Sequence, residues 1–373
     1  MAKPIQEFLK MAVDADASDL HITTYIPPRI RVNGSLKSID HPPLSPTETK
    51  DLVYSILTDK QKKMFEEKWE LDFSFGIKEL GRFRANVFMQ KGAVAAAFRR
   101  FLPNMWSFAQ LGIPQRVAQL CYLPRGLVLV TGPTGCGKST SLACMIEHIN
   151  HERDVHVVTI EDPIEYFFNP RKAIINQREL YVDTQSYGNA LRSVLREDPD
   201  VVLVGEMRDY ETVEACLRVA ETGHLTFSTL HTNSAVESIT RIIDIFPPQY
   251  QSQVRIMLSM SLEAVLTQAL LPKADGSGRV LAMEILIPNA AVRNLIRENK
   301  VHQIYSAMQM GQEKYGMQTF NQSLASLYFR KQITYDMAMS VTSFPEELTD
   351  IIQRKEGLRS DQTPRGAGVT SRK

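Results

Sequence analysis

The chain reads as a two-domain α/β protein, and three features say so. Gly132-Pro133-Thr134-Gly135-Cys136-Gly137-Lys138-Ser139 spells GxxxxGK[ST] directly after the apolar run Leu127-Val128-Leu129-Val130, the strand, loop and helix order of a phosphate-binding loop. From residue 114 onward, short β-branched runs alternate with amphipathic stretches, as in a parallel sheet covered by helices on both faces. The first hundred residues instead carry short alternating segments between helical ones, which predicts a small α+β domain. At 373 residues the chain is long enough for two cores. The predicted boundaries are 1–100 for the first domain, 101–113 for a linker, 114–353 for the P-loop domain with a helical C-terminal part, and 354–373 for a disordered tail.

Taken in order, Ile5 to Ala15 has helical spacing of apolar residues, and Ser18 to Ile22 and Arg29 to Val32 alternate as strands, the latter turning at Asn33-Gly34. Ser45 to Leu57 predicts a helix, with Ser45 as cap, Pro46 at the first position and Glu48 at the third. Glu70 to Phe75 and Gly81 to Arg100 read as strands. Phe83, Ala85, Val87 and Met89 alternate there with Arg82, Arg84, Asn86 and Phe88, leaving one face polar. Phe101 to Ile113, with Pro103, Trp106 and Gly112, is the connector.

Beyond the connector come strand Gly126–Val130, the loop, helix Lys138 to Asn150, strand Val155–Ile160, helix Ser186–Arg196, strand Val201–Val204, helix Tyr210–Thr222 and strand Leu225–Ser228. From Phe246 the pattern turns mainly helical over Gln249–Leu270, Ala290–Glu298 and Met317–Arg330, with a strand pair around Ala274-Asp275-Gly276. Gln353 to Lys373 holds six basic and two acidic residues among Gly, Ser and Pro, a composition that predicts disorder.

Composition narrows the function classes. A net charge of +1 and a pI near 7.7 show no basic surplus that calls for nucleic acid or an anionic membrane. The longest apolar runs fall far short of the ~20 residues that span a bilayer, and the amino terminus lacks the apolar core of a signal peptide, so a cytoplasmic protein is expected. Cys121, Cys136, Cys144 and Cys216 form no CxxC pair and read as reduced thiols. Cys136 lies near a helix N-terminus, where a thiolate is favoured; the sequence does not decide whether nucleotide binding responds to its oxidation.

The glycines of the loop let successive N–H groups face one anion, and the following helix adds the positive end of its dipole. Lys138 is then the charge for the β- and γ-phosphates and Ser139 the Mg²⁺ ligand. Whether the loop belongs to a hydrolase depends on its companions. Asp200-Val201-Val202-Leu203-Val204-Gly205-Glu206 is an apolar strand ending in a carboxylate. Gly205 stands where an Asp commonly holds the magnesium shell, and Glu206, one step on, is placed to polarise the attacking water.

Thr159 to Tyr166 brings Glu161, Asp162 and Glu165 to the end of the neighbouring strand, where Glu161 and Glu165 are candidate partners of Mg²⁺ or its waters; Asp162 before Pro163 reads as a turn. His224 and His231 flank a short strand, with His231 as a sensor of the γ-phosphate and His224 as a brace. Arg82, Arg84, Arg99 and Arg100 form a basic cluster in which Arg82 and Arg84 share a face. They are either a solvated face or charges that neutralise a transition state.

These segments together resemble the type II/IV secretion ATPase superfamily: the loop Gly132–Ser139, the acidic box Thr159–Tyr166, the run Arg196–Asp209 and the histidine box Gly223–Ala235. Ser18-Asp19-Leu20-His21, Gly81-Arg82-Phe83-Arg84, Ala291–Glu298 and Gly316–Phe320 extend the resemblance to the type IV pilus retraction motors of the twitching-motility, or PilT, type. The resemblance implies a PAS-like first domain, a RecA-like second one and a homo-hexameric ring that hydrolyses ATP with Mg²⁺ to drive pilus retraction. It implies ATP bound between the two domains and a neighbouring subunit.

In that frame the nucleotide set is Gly132 to Ser139 with Thr140, Glu161 and Glu165. Glu206, Lys138 and His231 act in catalysis, and Arg84 and Arg99 match the arginines that approach the phosphates. The partners implied are an inner-membrane pilus platform protein on its cytoplasmic side and a paralogous retraction ATPase, with no nucleic acid. Ala291–Glu298 matches the element needed for retraction, although the residues alone read as an amphipathic helix with Val292, Leu295 and Ile296 inward. Pilus extension motors usually carry an extra amino-terminal region and a four-cysteine zinc site, which this sequence lacks. The alternatives are a pilus extension or type II secretion ATPase, a RecA-like motor on nucleic acid, and a non-hydrolysing accessory subunit.

Overall fold

Local signals in the first hundred residues do build an antiparallel sheet. The computed structural model describes residues 3–32, 34–101 and 105–361, with backbone alone at 313 and 355–361. The chain divides into Met1–Asn104 with Asp162–Phe167, and Met105–Glu161 with Phe168–Lys373. In the first unit β1 (Asp19–Ile22), β2 (Arg29–Val32), β3 (Ser35–Ser38), β4 (Glu70–Ile77), β5 (Gly81–Gln90) and β6 (Ala93–Arg100) form a sheet of order β3-β2-β1-β6-β5-β4. Every pairing in it is antiparallel.

The stretch 81–100 is a hairpin and not one strand, because Lys91 and Gly92 both take positive φ, 47° and 76°, the twist a two-residue hairpin turn needs. Helix Pro46–Tyr54 carries the expected capping box, in which Ser45 and Glu48 satisfy each other's backbone N–H. A helix not read from the sequence, Asp59–Lys68, opens on a second box from Thr58 and Gln61. Helix Ile5–Asp14 buries Ile5, Phe8, Leu9 and Ala12 in a core with Leu20, Phe65, Phe83 and Phe98. Each large side chain there stabilises the fold by about 1.5–3 kcal/mol. The hairpin turn at Asn33 and the linker at 102–104 lie outside the described residues.

In the second unit the apolar runs stack into a seven-stranded sheet. It comprises β7 (Gly126–Thr131), β8 (His156–Glu161), β9 (Ile174–Glu179), β10 (Val201–Val204), β11 (Leu225–Leu230), β12 (Leu262–Pro272) and β13 (Arg279–Leu286), in the order β13-β12-β7-β11-β10-β8-β9. β13 runs antiparallel to β12; the remaining pairs are parallel. β7, β10 and β11 are buried along their whole length, which is why they read as unbroken apolar runs.

Two expectations need correction here. The helix expected over Gln249–Leu270 ends at Ser261, and the chain from Leu262 becomes β12, inserted between β7 and β13. Covered on both faces, β12 has no polar alternation, and such an apolar run cannot be told from a buried helix by periodicity. The final helix, Pro345–Asp361, carries residues 354–361 that were assigned to the tail; 362–373 lie outside the described residues. In helix Ala290–Arg297, Val292 and Ile296 are buried and Leu295 packs beside them, the inward face expected. No helix among the described residues is long and apolar enough to cross a membrane.

Candidate active site

Strand β7 delivers the phosphate loop at its carboxyl end. Gly132, Gly135 and Gly137 take φ of 136°, 79° and 93°, values that L side chains rarely adopt. Gly132 has no room for a side chain either: a Cβ there would stand 2.4 Å from the Gln268 carbonyl oxygen and 2.7 Å from Cys136 Sγ. Gly137 caps helix Lys138–Glu152 in a left-handed conformation. Lys138 is buried and folds back over its own loop, Nζ donating to the Gly132 carbonyl at 2.8 Å and the Pro133 carbonyl at 3.1 Å. Ser139 is exposed in the first helical turn and Thr140 half-buried.

Cys136 is buried, and burial pushes its thiol up in spite of the Lys138 charge beside it. The expectation of a favoured thiolate is therefore overturned, because desolvation outweighs the helix end.

The neighbouring strands bring the remaining groups to the same edge. Across the sheet, Gly132 follows β7, His231 follows β11, Gly205-Glu206 follow β10 and Glu161 closes β8, adjacent strands in that order. Glu206 bridges Arg208 and His231, with Arg208 Nη2 2.8 Å from Oε2 and His231 Nε2 3.1 Å from Oε1. Burial alone would raise its carboxyl. The hydrogen bond and charge of Arg208, followed by His231, outweigh that and hold it below the usual glutamate range.

Gly205 also has a spatial reason. A Cβ there would lie 3.1 Å from the Tyr187 hydroxyl and 3.4 Å from Glu161 Cα, so Tyr187 crowds the space an Asp side chain would need. Thr229 Oγ1 donates to the Gly205 carbonyl at 2.6 Å and Met207 N to the Thr229 carbonyl at 3.1 Å, tying the Glu206 turn to β11.

Of the acidic box, Glu161 stays at the sheet edge, accepting from Thr159 Oγ1 at 2.6 Å, while Glu165 counts with the first unit. His224 does not brace this site. It precedes β11, and its carbonyl accepts from Gly126 N at the start of β7, so it lies at the opposite edge of the sheet.

In the first unit the register aligns Arg31, Asp19, Arg99 and Arg84 in one row across β2, β1, β6 and β5. Arg99 Nε donates to Asp19 Oδ1 at 2.9 Å, and Arg84 Nε is 3.7 Å from Asp72 Oδ1. Arg100 pairs with Phe83 instead, which turns it to the other face, so the cluster of four is three on one side and one on the other.

Arg208, Tyr187 and Gln268 escaped sequence reasoning. Arg208 lies in the run Arg196–Asp209, which carried the resemblance but gave this side chain no role, Tyr187 sits in a predicted helix, and Gln268 in the segment expected to be helical. Gln268 is 1 % exposed and its Nε2 donates to Ser141 Oγ at 2.6 Å, bracing the helix behind the loop.

A phosphate loop flanked, strand by strand, by a histidine and a carboxylate on a mainly parallel sheet defines a RecA-like P-loop nucleotide hydrolase. Within that class the chain belongs to the type II/IV secretion system protein family, whose model matches residues 1–315. It is 47% identical over 342 residues to the type IV pilus retractation ATPase PilT of Pseudomonas aeruginosa, covering 92% of this chain and 99% of that one. It is 51% identical over 300 residues to a twitching motility protein of Neisseria gonorrhoeae, covering 80% of each. Among solved structures, that of the pilus retraction motor PilT with bound ADP superposes with a TM-score of 0.88 at 52% identity, covering 94% of this chain and 100% of that one.

Proposed function

We propose that this chain is an ATP-hydrolysing motor subunit that powers type IV pilus retraction. The observation that carries hydrolysis is the Glu206–His231 pair, 3.1 Å apart, two strands and one strand from the phosphate loop respectively; the retraction assignment rests on the likeness to PilT.

The residues divide the work as follows. Backbone amides of Gly132 to Ser139 receive the phosphates, and Lys138 exchanges its loop carbonyls for phosphate oxygens. Ser139 would hold magnesium, with Glu161 as the carboxylate for its waters, and the ion would neutralise phosphate charge. Glu206 is ionised at neutral pH, since Arg208 and His231 hold its carboxyl low. It therefore orients water and accepts its proton late, as suits a reaction governed by positioning and charge. His231 fixes the carboxylate and reports on the γ-phosphate side. Arg84 and Arg99 are assigned to the phosphates, where two like charges placed directly opposite each other gain an anion.

The working assembly in this reading is a homo-hexamer at the cytoplasmic side of the inner-membrane platform protein, alone or with a paralogous retraction ATPase. The test is a deletion strain of the bacterium that encodes the chain. Loss of retraction and twitching with pili still displayed, restored by the wild-type gene and not by Glu206→Gln, is the expected result. Loss of the pili themselves would replace retraction with extension.

A further inference from the structure

Glu284, on β13, is 3 % exposed and has no part in the chemistry above. Its Oε1 accepts from the Ala235 backbone N–H at 2.7 Å, and beside it on β13 Met283 N donates to Ser323 Oγ at 3.0 Å, in the first turn of the helix that starts at Phe320. Ala235 and Phe320 are the first residues of helices Ala235–Asp244 and Phe320–Phe329, where backbone N–H groups have no partner within the helix. One short stretch of β13 therefore holds two helix starts, the first of them through the Glu284 carboxyl.

The first of those starts is four residues from His231, and the intervening loop is pinned to its helix. Thr232 Oγ1 and Ser238 Oγ are 2.6 Å apart, Asn233 N donates to Glu237 Oε2 at 2.8 Å, and Ser238 Oγ donates to the Ser234 carbonyl at 2.7 Å. The loop thus moves with the helix, and the helix start is held by Glu284. On the far side, Asn321 donates to Glu347 at 2.9 Å and Tyr305 donates to the same carboxylate at 2.6 Å. Glu347 and Tyr305 are the ionisable groups that face Glu284 from the C-terminal helices, and Thr267 opposes it on β12.

We propose that Glu284 is a positioning residue for ATP turnover: by fixing the start of helix Ala235–Asp244 to β13, it sets where His231 stands against Glu206. That role rests on the reading that His231 and Glu206 work together in hydrolysis.

The test is steady-state ATPase kinetics of the full chain. Glu284→Ala lowers kcat about ten- to a hundredfold, as a misplacement of catalytic groups does, while KM for ATP stays within about twofold. Glu284→Gln, whose carbonyl keeps its reach, recovers most of that loss, and Glu284→Asp, which withdraws the carboxyl, does not. In a His231→Ala background, Glu284→Ala causes no further loss of kcat, since the two act through one geometry. Should Glu284→Ala not fold, Glu284→Asp takes its place in the same cycle. A loss confined to KM, or losses that multiply in the double variant while His231→Ala alone is impaired, overturns the positioning role alone. Wild-type turnover in His231→Ala overturns the reading beneath it as well.

Discussion

Substituting alanine at three glycines of the active-site edge separates conformational from steric demand. At Gly132 both apply: φ is 136°, and the new Cβ meets a backbone carbonyl at 2.4 Å and a sulfur at 2.7 Å. The carbonyl belongs to Gln268 in β12, a strand paired on both sides, so it cannot retreat. Backbone strain of about 1–3 kcal/mol and overpacking of about 1–3 kcal/mol sum to about 2–6 kcal/mol.

At Gly135 the φ of 79° is equally unfavourable, but nothing lies within 4 Å of the Cβ, leaving about 1–2 kcal/mol. Gly205 has no positive φ, and its tightest contact, 3.1 Å, is the end of the Tyr187 side chain, which can yield for under about 1 kcal/mol. At roughly 2–4 °C per kcal/mol for a unit of this size, Gly132→Ala melts about 4–24 °C below wild type, with Gly135→Ala between it and Gly205→Ala. Thermal melting gives the order, and equilibrium binding of a fluorescent ATP analogue should show loss of affinity first in Gly132→Ala. Wild-type melting and affinity in Gly132→Ala, or a larger defect in Gly205→Ala, would refute the reasoning.

Glu206→Gln should bind nucleotide normally and turn it over about 10²–10⁴-fold more slowly, whereas Arg208→Ala lets burial dominate at Glu206, so the acid limb of its pH–rate profile moves to higher pH. Arg208 is 69% exposed, so the pair is worth about 0.2–1 kcal/mol and the move stays under about one pH unit; an unmoved limb would remove Arg208 from this role. Arg84→Ala and Arg99→Ala should each lower ATP turnover by about tenfold or more; normal turnover would return both to a solvated face. Arg84→Ala, whose partner Asp72 is 55% exposed, should leave the melting temperature unchanged, whereas Arg99→Ala unpairs the buried Asp19 and should lower it. Burial, followed by a smaller push from Glu347, raises the Glu284 carboxyl to about 7 against the opposing Ala235 amide. Its contribution to stability is complete below the ordinary glutamate range and is lost as pH rises through about 7, so melting should decline between pH 5 and 8 in wild type and more weakly in Glu284→Gln, while parallel curves would contradict it.

What the sequence revealed follows the range of the forces involved. The capping box at Ser45-Pro46-Glu48 and the phosphate loop are written within a few residues, and both stand where the letters place them. Glu206 and His231 were legible because each follows a buried strand, and parallel strands bring their carboxyl ends to one edge. Their direct contact, and the Arg208 bond that sets the charge of Glu206, depend on turn geometry that no spacing encodes. β12 stayed hidden because its pairing with β7 is non-local, and Gln268 was hidden with it. Cys136 was misread for a related reason: proximity to a helix end is local, whereas the burial that outweighs it comes from Gly132, Gln268 and the packed sheet.

The dependence of Gly132 on Gln268 has a consequence for synthesis. Gln268 and its partner Ser141 are 127 residues apart, so at ~5–20 residues per second the ribosome needs about 6–25 s after making the loop's helix to supply the strand behind it. During that interval the motif is complete while the strand that packs against Gly132 and braces Ser141 is not yet made, so a chain cut before β12 keeps the letters of the loop and loses its support.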